Sequence, residues 1–175
     1  MYSVKLSLAI FAAALMSIAV VAQADSEAKH IHSTLVLDIK ITGDSSVTGD
    51  AEDNLLKIPK FSEHLRQELQ DKTRFVVIDD ADAMAKVAAA AENHDLHRCN
   101  GCERTLAKEL GAGYVMLPSV FRMSHLISTL HIEVIDVETG TMLKRKAYDF
   151  RGNTDNAWER VIRYAIRDMG QWQPR

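Results

Sequence analysis

Tyr114-Val-Met-Leu-Pro-Ser-Val-Phe-Arg122, Leu126-Ile-Ser-Thr-Leu-His-Ile-Glu-Val-Ile-Asp-Val137 and Met142-Leu-Lys-Arg-Lys-Ala-Tyr-Asp-Phe150 are the stretches whose reading decides the fold. Each is rich in β-branched or aromatic residues, and short turn segments separate them. Glu138-Thr-Gly140 supplies the second turn, so the three read as consecutive strands of a meander. Pro118 lies inside the first stretch, where it cannot donate to a ladder, so an edge or a bulge is expected there. Asn153 or Thr154 then caps a final helix with Trp158, Val161, Ile162, Ala165 and Met169 on one side.

Working back toward the N-terminus, Thr34–Ile41 reads as a strand with Leu35, Leu37, Ile39 and Ile41 on one face. Gly43–Asp53 is a polar loop. A helix follows, with Phe61, Leu65 and Leu69 at helical spacing and Pro59 either at its first position or inside it. Phe75–Ile78 is a short buried strand. Asp80 caps the next helix, whose stripe is Met84, Val87, Ala88 and Ala91. A third helix runs from about Cys102 to Leu110 and stops at Gly111. The expected fold class is α+β: a mostly antiparallel sheet of about five strands with helices packed on one face, and a C-terminal β-meander closed by a helix. The inward set is Leu35, Leu37, Phe61, Leu65, Val77, Leu106, Leu110, Leu130, Ile132, Val134, Trp158 and Ile162.

Lys5 precedes an apolar run, Leu6 to Val21, and Ala22-Gln23-Ala24 is a small-residue cleavage pattern. Residues 1–24 therefore read as a signal peptide cut after Ala24, and residues 25–175 as one exported, periplasmic domain with no integral membrane segment after cleavage. The net charge of −3 becomes one unit more negative once Lys5 is lost. No basic block remains, which argues against nucleic acid as a partner. Two cysteines are too few for a disulfide scaffold, so the core rests on apolar burial.

Those two cysteines sit in His94-Asp-Leu-His97-Arg-Cys99-Asn-Gly-Cys102-Glu103. Asn100-Gly101 is turn-prone, so Cys99 and Cys102 can bridge, with Cα atoms under about 7 Å apart. A loop this short gains at most about 2 kcal/mol from chain entropy, so such a bond pins the helix entrance more than it stabilises the whole. Two further readings stay open. A thiolate at a helix N-terminus is redox-active when its pKa falls, with Arg98 and Arg104 in favour and Glu103 opposed. His94, His97, Cys99 and Cys102 also offer the nitrogen and sulfur ligands of a zinc or copper site, which His30 or His32 could complete. Glu103 stands where a c-type haem signature requires histidine.

Asp44, Ser46, Thr48, Gly49 and Glu52 imitate a calcium loop, but Leu55 replaces its bidentate glutamate. No G-x-S-x-G, H-E-x-x-H or triad spacing is present, and no catalytic residue is assigned. Arg151-Gly-Asn153-Thr154-Asp155 reads either as a turn and cap or as a partner or ligand surface, with Arg151 as a carboxylate fork.

The element order resembles the TolB amino-terminal-like and CsgG-like domains of bacterial envelopes. Three segments further resemble an uncharacterised family of short exported proteobacterial proteins. They are Cys99-Asn-Gly-Cys102-Glu103 with Leu110-Gly-Ala, then Asp136-Val-Glu-Thr-Gly140, then Arg151-Gly-Asn-Thr-Asp155 with Trp158. That resemblance implies a non-catalytic binding or assembly protein whose partner is another periplasmic or envelope protein. Members of that family are sometimes found beside quinoprotein alcohol-oxidation genes, so the resemblance implies a link to that pathway. The competing expectation is a thiol–disulfide or metal-handling protein built on Cys99 and Cys102 with His94 and His97. Oligomeric state is left open.

Overall fold

The computed structural model describes residues 33–43 and 51–172. The signal segment 1–24, His30, His32 and the calcium-like positions Asp44, Ser46, Thr48 and Gly49 lie outside the described residues. The elements are β1 (Ser33–Val36), β2 (Lys40–Gly43), α1 (Ala51–Lys72), β3 (Val76–Ile78), α2 (Ala81–Asn93), α3 (Cys102–Glu109), β4 (Tyr114–Arg122), β5 (Ile127–Asp136), β6 (Met142–Arg151) and α4 (Asp155–Gly170).

The sheet runs β3-β1-β4-β5-β6, with β2 also paired to β4. β4, β5 and β6 form the expected antiparallel meander, and β1, β2 and β3 join it in parallel. The class is α+β, and the C-terminal helix closes the meander as expected. Trp158 is only 1% exposed, stacked on Phe61 at 5.0 Å and edge-on to Phe150 at 5.6 Å. Aromatic groups of this size dominate the burial energy of such a core.

The helices divide between both faces, where one face was expected. α1 and α4 cover the side that carries Val36, Met116, Leu130 and Ile132, and α2 and α3 cover the side that carries Leu35, Leu37, Val115 and Leu117. The cause is strand order. The chain moves from β1 outward to β3, then back past β1 to β4. Right-handed crossovers in opposite directions place their helices on opposite faces.

The expected first strand, Thr34–Ile41, is split. Val36 pairs with Met116, but Lys40 pairs with Ser119, so the first strand carries one residue more than β4 between these points. This bulge reverses the facing of the side chains: Leu35 and Leu37 enter one core, whereas Ile39 enters the other, with Ile41 packed against it. Side chains of α1 satisfy the backbone there. Ser62 Oγ accepts from Ile39 N–H (2.8 Å), and the buried Arg66 donates to the Val36 carbonyl (3.2 Å) and pairs with Asp38. Pro118 sits opposite the bulge. The Met116 carbonyl points toward β1, where it accepts from Leu37 N–H (3.1 Å), so Pro118, two residues on, turns its N–H-less nitrogen to the interrupted stretch. The proline is thus in a central strand, and the bulge is in its partner. Pro59 lies inside α1, which begins at Ala51 within the stretch expected to be loop.

Candidate functional site

Asn100 and Gly101 both take positive φ, 55° and 116°, and this tight turn brings Cys99 and Cys102 to a Cα separation of 5.6 Å with their sulfurs at bonding distance. Gly101 is the N-cap of α3, and Cys102 is its first residue. Glu103, which is buried, reaches back so that Oε2 accepts from Gly101 N–H (2.9 Å) and lies 3.2 Å from Cys99 Sγ. Arg104 is directed elsewhere: its guanidinium donates to the Val137 carbonyl (3.0 and 3.2 Å) and the Glu138 carbonyl (3.3 Å). Gly140 takes φ +70° in the Asp136–Gly140 turn, a backbone conformation that favours glycine, and the Arg104 guanidinium packs against it. The first two segments that carry the family resemblance therefore meet at one structural joint.

The proposed nitrogen and sulfur ligands separate. Among the described residues, the group with donor atoms within 4.8 Å of one another is Cys99, Cys102 and Glu103, and neither histidine belongs to it. His97 Nε2–H donates to the Pro118 carbonyl (3.0 Å), beside the point where β2 takes up the ladder at the Lys40–Ser119 pair. Burial holds the His97 pKa below its ordinary value, with the Pro118 hydrogen bond acting in the opposite sense. His94 caps the end of α2 through its backbone, N–H to the Ala90 carbonyl (3.0 Å).

His94 and His97 instead line a cleft of about 480 Å³. Its walls are the bulged Leu37–Ile41 stretch, Asn54 and Ile58 of α1, Val87 and Ala91 of α2, and the His94–His97 loop. Lys40 and Asp95 form an ion pair that ties the strand wall to the loop wall, and this pair lowers the Asp95 pKa.

Arg151-Gly-Asn-Thr-Asp155 lies at the opposite end of the meander from the cysteine turn. Asn153 Oδ1 accepts from Trp158 Nε1–H (2.9 Å) and from Arg122 Nη2 (3.0 Å), while Asn153 Nδ2 donates to Asp53 Oδ2 (2.8 Å). Thr154 is the N-cap of α4, accepting from Ala157 N–H (3.3 Å), and Asp155 pairs with Lys60 (2.6 Å). Arg151 is exposed. Beside it the hairpin tip leaves Leu126 and Met123 71% and 61% exposed, and Leu55 at the start of α1 is 73% exposed. Composition alone could not show this hairpin patch, because Met123 and Leu126 are indistinguishable from core residues until the hairpin is placed. Among the described residues, no helix is long and apolar enough to cross a membrane.

These features define an α+β domain in which a parallel strand–helix half is fused to an antiparallel meander, with a Cys-x-x-Cys turn at one joint and an apolar hairpin end at the other. The chain belongs to the DUF3280 family, described as "Protein of unknown function (DUF2380)", whose model matches residues 32–169. No curated protein matches the sequence. The LpoB C-terminal domain from Salmonella enterica has a similar structure, with TM-score 0.53 and 19% identity over 68% of this chain and 82% of that one. Lipoprotein GNA1162 from Neisseria meningitidis gives 0.52 and 12% over 80% and 97%, and the PelC dodecamer from Paraburkholderia phytofirmans gives 0.52 and 13% over 82% and 91%. At these identities the likeness is one of fold.

Proposed function

We propose that this chain is an exported, periplasmic accessory protein, cut after Ala24, that binds another envelope protein and performs no chemistry of its own. The observation that carries the reading is the hairpin end, where Met123 and Leu126 are exposed together with the part-exposed Phe121 and Ile127, and Ile127 pairs with Arg151 across β5 and β6. Exposed apolar clusters rimmed by charge mark interaction surfaces. The shared fold supports it, since that fold occurs in a protein titled a lipoprotein and in one titled a dodecamer. The TolB amino-terminal-like element order and the alcohol-oxidation setting implied by the family resemblance agree with an accessory role in the envelope.

On this reading Cys99 and Cys102 form a structural disulfide. The Glu103 carboxylate against Cys99 opposes a thiolate, and Arg104 is held on backbone carbonyls. Of the residues first considered as a partner surface, Arg151 faces the partner, while Asn153 holds Trp158 and Arg122, Thr154 caps α4 and Asp155 pairs with Lys60. A photo-crosslinking residue at Leu126 of the exported protein tests this. It should capture one envelope protein that the same residue at exposed Lys86 on α2 does not. Equal labelling from both positions, or none from Leu126, would overturn the assignment.

A further inference from the structure

We propose that the cleft between the split first strand and the His94–His97 loop binds an uncharged small molecule with an apolar body and a carbonyl or hydroxyl oxygen. Its walls are built by the bulge. One extra residue turns Ile39 and Ile41 away from the face that holds Leu37, and the gap that opens is bounded by Ile58 of α1 and Ala91 of α2. A cleft of about 480 Å³ is within the range that holds small ligands, and apolar walls with a few convergent polar groups are their usual lining.

Charge sets the ligand class. Lys40 is neutralised by Asp95, and Asp38 by Arg66, so each full charge on the wall already has its counter-ion in the protein. The half-buried His97 ring is held by the Pro118 carbonyl through Nε2–H. A charged ligand would enter without a counter-ion and lose its hydration, whereas an uncharged one loses little. The Lys40 ammonium carries three N–H groups and uses one on Asp95, so it can donate to a ligand oxygen. The cleft and the hairpin end assigned to a protein partner are lined by different residues, and the two assignments fail independently.

N-phenyl-1-naphthylamine, which is uncharged, is the probe, titrated by fluorescence into the exported protein. One saturable site is expected. Its sulfonated analogue, 1-anilinonaphthalene-8-sulfonate, should bind at least roughly tenfold more weakly, a difference of about 1.4 kcal/mol. Ala91→Trp fills the cleft from an exposed helix position and should abolish binding while circular dichroism and melting stay as in the wild type. Imidazole NMR signals of His94 and His97 should move on titration while those of His125 and His131 stay. Wild-type binding by A91W, equal or tighter binding of the sulfonate, or shifts confined to His125 at the hairpin tip would each overturn the proposal.

Discussion

Replacing Asn153 by alanine separates the two readings of the Arg151–Asp155 segment. The Asn153 oxygen accepts from the indole N–H of Trp158, which is 1% exposed, and from the guanidinium of the buried Arg122. Water cannot readily replace an acceptor at that depth. The indole N–H left without its partner costs about 1–3 kcal/mol, and Arg122 keeps its bond to Asn54 Oδ1 (3.3 Å), so the loss is near 1–3 kcal/mol. The bond to Asp53 is nearer solvent and adds little. Against a total stability on the order of 5–15 kcal/mol, this is a large fraction. For a domain of this size it lowers Tm by roughly 3–10 °C. Urea unfolding followed by Trp fluorescence measures it, with the slope m unchanged. A double-mutant cycle adds specificity: in a Trp158→Phe background, where no indole N–H exists, the penalty for Asn153→Ala should shrink by about 1–2 kcal/mol. Crosslinking from Leu126 should persist in the folded Asn153→Ala protein. A loss under about 1 kcal/mol, or undiminished stability with crosslinking abolished, would refute the structural assignment of Asn153.

Two further outcomes are expected. Denatured, unreduced protein taken from the exporting compartment should show no free thiol, and two free thiols would refute the disulfide at Cys99 and Cys102. Acid should weaken the fold through His97: burial lowers its folded pKa, so the unfolded chain takes the proton first, and stability is complete above about pH 6.5 and declines as pH falls below it. The ring also faces Lys40, which lowers its pKa, and Asp95 and Asp38, which raise it. The depressed carboxylates Asp53, Asp95 and Asp168 act in the separate window below their ordinary value of 3.8. His97→Gln, which keeps a donor for Pro118, should flatten urea midpoints measured between about pH 5 and 7, and an unchanged slope would show that another group is responsible.

The meander and its closing helix were legible because their signals are local. β-branched runs, the Glu138–Gly140 turn and the Thr154 cap each act within a few residues, and Trp158 falls on the apolar stripe of α4. The two-sided placement of the helices was not legible. It follows from strand order, and no periodicity in the α1 or α2 sequence states that β4 returns to the far side of β1. The division of Thr34–Ile41 was hidden for a related reason. Leu35, Leu37, Ile39 and Ile41 alternate without a break in the sequence, whereas the extra residue exists only relative to β4.

That one-residue offset also governs what became of the histidines. Spacing alone placed His94 and His97 beside two cysteines and made a ligand set conceivable. The ladder resumes after the bulge at the Lys40–Ser119 pair, and there the His97 ring donates to the Pro118 carbonyl. That hydrogen bond holds the ring on the strand and away from the sulfurs. The same offset lets a proline sit in a central strand and opens the cleft between Leu37 and Ile41. Glu103 completes the separation, because its carboxylate closes the cysteine turn from the other side. The densest cluster of reactive residue types in the chain is therefore divided between two structural tasks, and the cleft lies between them.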